Sequence, residues 1–311
     1  MNLEGLPWRG PGPGRPDLAL PPEERPKLRH DGTWRKRWRY LGAFSDEVML
    51  CAARVGVGPF GQTFWAVWDR ETRELTEHTR MIIPMLARGE AWTEHSPGED
   101  DEPGQVEWAP EAGKLRVRIE AAQRGDDPQV RGFLGVESAG PWVEAVCPTG
   151  EGEGWVWTRK RPVAVEVDVR VGERRIRCEA RGVEDESCGY HPHHTVWDWS
   201  AGVGTTKDGR DVAWNLVAGI NDPPERSERA IWVDGEATEP SPVSFEGLDA
   251  VNFSDGARLV CSAEAERSRD ESKPFVSYSY RQPFGTFTGT LPGGLELASA
   301  FGVMEHHDAN W

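Results

Sequence analysis

The stretch VAVEVDVRVGERRIRCEAR, residues 163–181, decides the fold class of this chain. Apolar side chains occupy alternate positions on both sides of a central Gly-Glu pair, and mostly charged side chains fill the positions between them. Alternation with a period of two places one set of side chains on each face of a β-strand. Gly172-Glu173 supplies the tight turn between two such strands. The stretch therefore predicts a β-hairpin with one buried and one solvated face.

The rest of the chain has the same character. Short alternating or apolar segments are separated by turns, and amphipathic segments of helix length are scarce. The 15 tryptophans and 35 glycines favour pleated sheets that pack around large aromatic side chains. Further strands are predicted near residues 47–57, 62–69, 114–121, 210–220 and 284–291. The sequence thus predicts an all-β protein built of antiparallel sandwiches or barrels.

The length favours more than one domain. A chain of 311 residues exceeds the usual size of a single core, so we predict two β domains. Residues 1–29 hold seven prolines among glycines and are predicted to form a flexible arm, mobile or draped over the body, that cannot build a ladder. Because a Gly-rich acidic break at 149–154 precedes the hairpin, we place the N-terminal domain at residues 30–160 and the C-terminal domain at 161–311.

The charge balance argues against two classes of partner. With 36 basic and 52 acidic residues the formal net charge is −16, which repels nucleic-acid phosphates and anionic lipid headgroups. No apolar run approaches the roughly 20 residues that cross a bilayer, and the first residues lack the apolar core of a secretory signal. We therefore expect a cytoplasmic protein without membrane insertion. Five scattered cysteines without a CxxC pair indicate reduced thiols.

Chemistry-bearing side chains concentrate in residues 185–221, DESCGYHPHHTVWDWSAGVGTTKDGRDVAWNLVAGIN. If strand pleating holds from His193 onward, His193 shares one face with the indoles of Trp197 and Trp199. Such a wall can stabilise a carbocation over its π-faces while the imidazole moves a proton. The alternative is that the histidines bond to backbone groups or lie exposed at a strand end.

A second cluster ends the chain. One parity holds Leu297, Ser299, Phe301, Val303 and Glu305, and His306, His307 and Asp308 follow. If Glu305 continues the apolar face into a closed pocket, desolvation raises its pKa. A carboxylic acid that stays protonated near pH 7 is what protonation of an alkene or enol requires. The alternative is that the strand has ended and that Glu305 lies in water.

Other chemistries compete for these residues. His191 and His193 alternate and can share a metal ion, with Glu305 or His307 as a third ligand. Because Pro192 distorts the pleat and no glutamate follows closely, as it does in cupins, we predict no metal site. Paired carboxylates for glycoside hydrolysis can be drawn from Asp185, Glu186, Asp198, Glu228 or Asp234, although nothing fixes their separation. The motifs of serine hydrolases and of P-loop or dinucleotide-binding proteins are absent.

The order of short motifs after residue 157 resembles that of a bacterial family of unknown function. The motifs are TRK at 158–160, D-x-x-x-G at 185–189, T-x-W-x-W at 195–199, NL at 215–216, WVDG at 232–235, QPFGTFTGTL at 282–291 and G-x-x-E-H-H-x-x-x-W at 302–311. Through Asp185, Gly189, Trp197 and Trp199 this family is similar to the AttH, carotenoid 1,2-hydratase and tocopherol-cyclase-like group. The resemblance implies two lipocalin-like β domains side by side, with an apolar pocket for isoprenoid or lipid-like ligands at or near their interface.

Residues and resemblance together predict a cofactor-independent hydratase, isomerase or cyclase that acts on an apolar, terpenoid or lipid-like small molecule. The predicted catalytic residues are Asp185, His193, His194 and Glu305. The predicted substrate contacts are His191, Trp197, Asp198, Trp199, Asn215, Trp232 and His306. Two alternatives stay open: a non-catalytic carrier of lipids or isoprenoids, since the shape needs no chemistry, and a carbohydrate-active or sugar-binding β module. The enzyme hypothesis requires the HPHH segment and Glu305 to meet in one water-poor chamber.

Overall fold

The computed structural model describes residues 3–11, 14–82, 106–111, 114–125, 127–150, 154–273 and 276–310, and every regular element among them is a β-strand. In chain order the strands are β1 (Trp8–Gly10), β2 (Arg29–His30), β3 (Thr33–Trp34), β4 (Lys36–Phe44), β5 (Val48–Val57), β6 (Phe60–Asp69), β7 (Glu74–Ile82), β8 (Val106–Glu111), β9 (Lys114–Ala121), β10 (Val130–Ser138), β11 (Val143–Thr149), β12 (Gly154–Val171), β13 (Arg174–Gly189), β14 (His194–Thr206), β15 (Asp211–Ala218), β16 (Ala230–Val233), β17 (Glu236–Thr238), β18 (Val243–Glu246), β19 (Ala250–Phe253), β20 (Arg258–Lys273), β21 (Val276–Leu291) and β22 (Leu295–Asn310). In these ranges no helix has the length and apolarity that a membrane span requires.

Two large antiparallel sheets contain nearly all of these strands. The first has the order β7-β6-β5-β4-β13-β12-β10-β9-β8, with β11 paired to β12 and β1 paired to β11, and the second has the order β17-β16-β15-β14-β22-β21-β20-β19-β18. Each sheet encloses a hydrophobic core of its own, around Trp65 and Val165 in the first and around Trp214 and Phe287 in the second. The predicted all-β antiparallel architecture is confirmed.

The hairpin predicted at residues 163–181 is the long hairpin of β12 and β13. The two strands pair from Val171 and Arg174 at the turn back to Val156 and Gly189. Gly172 at the turn has a φ of 56°, which glycine adopts without steric cost. The apolar face of the hairpin packs into the first core. The hairpin continues well beyond the predicted stretch, and this extension carries side chains toward the second sheet.

The change from one sheet to the other falls between Gly189 and His194. β12 runs without a break through residue 161 and pairs with strands of the first sheet on both sides. A Gly-rich turn joins neighbouring strands of one sheet as readily as it separates domains. The chain therefore does not change from one sheet to the other at the Gly-rich break before the hairpin. Residues 151–153 of this break lie outside the described ranges. The domain division at 160/161 stays a prediction that the sheet order does not follow.

The two sheets pack against each other through a third hydrophobic core. This core combines Tyr40 and Cys51 from the first sheet with Trp199, Val203 and Phe284 from the second. Because strand side chains alternate between two faces, strands of both sheets contribute one face to their own core and the other to this shared layer. The shared layer positions the candidate site.

The N-terminal arm is packed onto the first sheet in its described part. β1 pairs with β11, with Trp8 opposite Val146, and Trp8 and Leu20 are buried in a satellite core. The proline-rich composition therefore does not prevent a short ladder, because three residues between prolines suffice for it. Of the two arrangements predicted for the arm, the described residues adopt the draped one.

Candidate active site

A cavity of about 120 Å³ lies in the layer between the two sheets. It is comparable in size to an engineered cavity of roughly 150 Å³ that binds benzene. Its aromatic wall consists of Trp38, Tyr40, Phe64, Trp197, Trp199, Tyr278 and Tyr280. Its polar side chains include Lys160, Asp185, Asn221, Glu228, Arg267, Glu305 and His307. Both sheets contribute to each set, so the cavity exists only where the sheets meet.

Glu305 enters the cavity from β22. It lies opposite Trp199 of β14 in the register of the second sheet, and its side chain is buried. Trp197 Nε1 donates a hydrogen bond of 2.8 Å to Oε1 of Glu305, and Gln282 Nε2 donates one of 2.8 Å to Oε2. These two donors fix the carboxyl group from the second sheet. A carboxyl group offers about four lone-pair sites, so it keeps capacity to bind a ligand.

The environment of Glu305 favours its protonated form. Burial raises the pKa of this carboxyl to about 7, and the charge of Asp185 acts in the same direction. The hydrogen bonds from Trp197 and Gln282 oppose this shift because they stabilise the carboxylate. A group with a pKa near 7 is present in both forms at neutral pH, and this suits a residue that gives and takes protons.

We expect Trp197→Phe to raise the pKa of Glu305 by about one unit, because a hydrogen bond to a charged group contributes roughly 1.5–3 kcal/mol. The infrared band of the protonated carboxyl, followed against pH in ¹³C-Glu-labelled protein, measures this. Trp199→Phe is the matched control, since the Trp199 indole donates to Asn215 Oδ1 at 2.8 Å and not to Glu305. An unchanged midpoint in Trp197→Phe would contradict the assigned hydrogen bond.

A buried charge cluster forms another part of the cavity wall. Lys160 and Asp185 are cross-strand partners in the β12–β13 hairpin, and Lys160 Nζ lies 2.5 Å from Asp185 Oδ1. Glu228, from the loop between β15 and β16, approaches the same ammonium at 3.6 Å. Asn221 Nδ2 donates a hydrogen bond of 3.1 Å to Glu228 Oε2. Asp185, Glu228 and Lys160 are all buried.

The charges of this cluster do not balance. Burial raises the pKa of Asp185 and of Glu228, repulsion from Asp185 raises that of Glu228 further, and Lys160 opposes both shifts. Burial alone would lower the pKa of Lys160, but the two carboxylates raise it, so the ammonium keeps its proton. When both carboxyl groups are ionised, two carboxylates around one ammonium carry a net charge of −1. The cluster is therefore able to accept one proton.

His307 lies two residues after Glu305 and extends into the same cavity. Burial lowers its pKa to about 3, so its imidazole is neutral at physiological pH and has one donor and one acceptor nitrogen. Its ring centroid lies 4.1 Å from that of Trp197 and 5.3 Å from that of Tyr280. The imidazole thus belongs to the aromatic wall as well as to its polar set.

The structure brings four of the predicted site residues together. Asp185, Trp197, Trp199 and Glu305 all line the cavity. Asp185 comes from the first sheet and the other three from the second. The sequence separation of 120 residues between Asp185 and Glu305 is closed by the packing of one sheet on the other.

The predicted proton-relay histidines do not lie at the cavity. His193 and His194 are exposed where β14 begins, and His194 Nε2 lies 2.8 Å from Asp308 Oδ1 on the neighbouring strand. Asp198 and His306 also form a cross-strand pair, 2.8 Å apart, and neither lines the cavity. The reason is parity, because Asp198 and His306 alternate with the inward-facing Trp197, Trp199 and Glu305. The predicted site therefore includes residues from both faces of these strands, of which only Trp197, Trp199 and Glu305 face the cavity.

Three further predicted contact residues, His191, Asn215 and Trp232, are buried but do not line the cavity. His191 is buried and its ring stacks on Trp38, with centroids 4.7 Å apart. Asn215 accepts the Trp199 indole hydrogen bond and donates to the carbonyl of Glu228 at 3.1 Å. Trp232 Nε1 donates to the carbonyl of residue 141 at 3.1 Å. His191 and Asn215 hold lining residues in position, Trp232 packs in the core shared by the two sheets, and none of the three lines the cavity.

The metal alternative has no geometric support in the described part of the chain. His191 is buried, whereas His193 is exposed, so these two imidazoles do not converge on one ion. Across the described ranges, no group of three or more His, Cys, Asp or Glu side chains is arranged to hold a metal. His307, the other suggested ligand, instead contacts aromatic rings.

Several cavity residues were not among the predicted catalytic and substrate-contact residues, although His307 and Glu228 were candidates in the metal and glycoside alternatives. His307 was detectable, because it continues the alternation that places Glu305 inward. Lys160 belongs to the TRK motif at residues 158–160, but a lysine next to the apolar face of a hairpin is only a weak indication of burial. Glu228 lies in the polar loop NDPPERSER, residues 221–229, where local sequence predicts exposure. Tyr280 and Arg267 carry no local signal, because only the packing of the two sheets buries them.

Comparisons with known proteins agree with this architecture. The family profile described as domain of unknown function (DUF2804) matches residues 23–311. The solved structure of an AttH-like protein from Nitrosomonas europaea is 15% identical with a TM-score of 0.52, covering 95% of this chain and 98% of that one. Kievitone hydratase from Nectria haematococca is 13% identical with a TM-score of 0.54, covering 87% and 88%. A search of curated proteins found no match. At these identities the similarity confirms the predicted lipocalin-like double fold of the AttH type, and the fold alone.

Proposed function

The chain belongs to the DUF2804 family, and from this premise we propose that it is a proton-transfer enzyme of the hydratase, isomerase or cyclase type. Its substrate is an apolar small molecule bound between the two sheets. The observation that carries the proposal is Glu305, a buried carboxyl group that lines an aromatic cavity and whose burial raises its pKa to about 7. A carboxylic acid of this kind is the general acid that protonation of an apolar substrate requires.

The proposed reaction begins at Glu305. The protonated carboxyl donates its proton to a carbon atom of an alkene or enol, whose π electrons form the new C–H bond. The adjacent carbon becomes cationic, and the π-faces of Trp197 and Tyr280 stabilise it, since aromatic faces attract cations within about 6 Å. After the proton has been transferred, the Trp197 indole stabilises the Glu305 carboxylate through its hydrogen bond of 2.8 Å.

The Lys160–Asp185–Glu228 cluster completes the reaction. Its net charge of −1 lets it take a proton from a carbon next to the cationic centre, and the electrons of that C–H bond form the double bond of an isomerised product. In a cyclisation, the π electrons of a second alkene in the substrate first form a C–C bond to the cationic carbon, and the proton leaves from a carbon next to the new cationic centre. In a hydration the same carboxylates take the proton from a water molecule that adds to the cation. In both cases the proton gained by the cluster balances the one lost by Glu305, and return of that proton restores the enzyme.

A carrier of lipid-like molecules would use the same cavity without chemistry. The acid argues for the enzyme, because burying an ionisable carboxyl group costs stability that a passive apolar pocket avoids. A sugar-binding module is less well supported, since several of the polar lining groups are bonded to one another, whereas the many hydroxyl groups of a sugar need polar partners that are available to it.

Ligand extraction followed by deuterium exchange tests the proposal. Native mass spectrometry of the purified protein should show a bound apolar compound. When the extracted compound is returned to the wild-type protein in D₂O, it should incorporate deuterium. Glu305→Gln is expected to bind the compound without catalysing the incorporation. Binding without incorporation by the wild type would indicate a carrier, and a bound oligosaccharide would indicate the sugar-binding alternative.

A further inference from the structure

Arg267 is a buried charged side chain of the cavity that the proposed proton transfers leave without a role. It lines the cavity from β20, where it lies opposite Gln282 of β21 and near Tyr280. Only 2% of the residue is exposed. A guanidinium removed from water to this extent needs compensating charges or hydrogen bonds. Its partners therefore indicate whether it is purely structural.

The protein provides hydrogen-bond or charge partners for only part of the Arg267 guanidinium. Arg267 Nη2 donates a hydrogen bond of 2.8 Å to Thr79 Oγ1, and Nε lies 3.0 Å from Glu77 Oε2. Both partners belong to β7 of the first sheet, on one side of the guanidinium. The planar group lies over the rings of Phe64 and Tyr280, with Cζ 4.0 Å and 5.1 Å from their centroids. A guanidinium has five N–H donors in a fixed fork, and those contacts use two of its three nitrogens.

Two phenol groups, Tyr278 and Tyr280, also line the cavity, and the rings of both contact His307. The hydroxyl of Tyr280 is buried beside both Arg267 and Glu305. The hydroxyl of Tyr278 is also buried, and it has no hydrogen-bond partner among the residues that the structure describes. Buried hydroxyl groups are rarely left unpartnered in folded proteins. An unpartnered hydroxyl at a cavity wall therefore points to a ligand that bonds to it.

The hydrogen-bond donors of Arg267 and the two tyrosines define the chemical group that a ligand should carry here. Arg267 can only donate hydrogen bonds, and the two tyrosine hydroxyls donate readily to a negatively charged acceptor. Cations and uncharged donor groups do not match this set, whereas an oxyanion accepts from all three side chains. Glu305, which lies next to Tyr280, and the Lys160–Asp185–Glu228 cluster line the same cavity, so the remainder of the ligand reaches the proposed proton donor and acceptor.

We propose that Arg267, Tyr278 and Tyr280 form an oxyanion subsite, and that the ligand is an apolar molecule carrying one anionic oxygen group, such as a carboxylate, phenolate or enolate. This inference rests on the proposed function for the identity of the cavity, but not for the chemistry of the subsite. The subsite sets the orientation of the ligand. Its anionic end lies at Arg267, and its apolar body lies along the aromatic wall toward Glu305 and Asp185.

A pair of probes that differ in one charge tests the subsite. Isothermal titration calorimetry of the full chain compares trans-cinnamate with trans-cinnamamide, which has the same ring and chain but an uncharged amide. We expect the carboxylate to bind at least tenfold more tightly than the amide, because hydrogen bonds to charged groups are markedly stronger than neutral ones. Equal affinities, or no measurable binding of cinnamate, would overturn the subsite.

Variants assign the preference to Arg267. Arg267→Gln should reduce the carboxylate-to-amide ratio to about one while leaving amide binding within about threefold. Arg267→Lys keeps the charge but loses the fork, and an intermediate ratio is expected. Arg269→Gln is the matched control, because Arg269 also lines the cavity but pairs with Glu271, and it should keep the wild-type ratio. A preference that persists in Arg267→Gln would remove Arg267 from the subsite.

Failure of this proposal is distinguishable from failure of the proposed function. Glu305→Gln should lose deuterium incorporation but keep the preference for cinnamate, since the charge of Arg267 is unchanged and the amide oxygen still accepts a hydrogen bond from Tyr280. A wild-type protein that prefers cinnamate but never exchanges deuterium would retain the subsite and lose the enzyme hypothesis. Exchange without any carboxylate preference would retain the enzyme and remove the subsite.

Discussion

Glu305→Gln is expected to lower kcat/KM by about 10²–10⁴-fold, the contribution that general acid catalysis typically makes. Glutamine has nearly the same shape and can still accept the Trp197 indole hydrogen bond, but it cannot release a proton to carbon. Ligand affinity should change little, so the loss should appear in kcat and not in KM. The measurement is the rate of deuterium incorporation into the extracted ligand. Unchanged turnover in Glu305→Gln would remove this residue as the acid.

The same substitution should alter the pH dependence of folding stability. Burial raises the folded-state pKa of Glu305 to about 7 from an ordinary value of 4.5, so the native state binds this proton more tightly than the unfolded chain. Its contribution is therefore complete below about pH 4.5 and is lost as pH rises through about 7. The wild type should lose roughly 3 kcal/mol across this window through this group.

Urea denaturation at several pH values between 4.5 and 8 measures that loss. Glu305→Gln should show a shallower decline than the wild type, because the amide does not titrate. The decline that remains in the variant is expected from Asp185 and Glu228, whose pKa values burial also raises. Identical slopes in the two proteins would mean that Glu305 ionises in the folded state as it does in water.

The fold and two carboxyl groups of the cavity, Asp185 and Glu305, were accessible from sequence. Alternation of apolar and charged residues fixes strand faces, and it was strong in the β12–β13 hairpin and along β22. The same parity that placed Glu305 inward also assigns His307 to the cavity and His306 to the opposite face. Assigning His306 to the site followed the cluster of residue types and not the pleat.

The remaining parts of the site depend on the packing of two sheets, which local patterns do not record. Lys160 and Asp185 meet because the β12–β13 hairpin continues past its predicted end, and Glu228 reaches them from a loop of the second sheet. Parity predicts which side chains share a face, but it does not predict which face another sheet will cover. The exposed histidines show the same limit, since strand β14 begins at His194, where its first residues are still outside the shared layer.

Lys160→Met should destabilise the protein by about 3–5 kcal/mol, the usual cost of removing one partner from a buried ion pair. Asp185 and Glu228 would remain buried without their shared cation, because Lys160 Nζ is the ammonium group that approaches both of them. Methionine keeps the length and apolar stem of lysine, so packing loss contributes little. Urea denaturation at pH 7 measures the effect, and lowering the pH should reduce it as the two carboxyl groups take up protons.

The triple variant Lys160→Met, Asp185→Asn, Glu228→Gln is the control that separates charge from packing. It keeps the side-chain shapes and removes every charge of the cluster, so it should recover most of the stability lost in Lys160→Met. The triple variant should nevertheless fail to turn over the ligand, because no group is left to accept the proton. A stable but inactive triple variant would mean that the cluster is kept for proton transfer and not for folding. A triple variant as unstable as Lys160→Met would contradict this interpretation, because the loss would then lie in packing and not in unpaired charge.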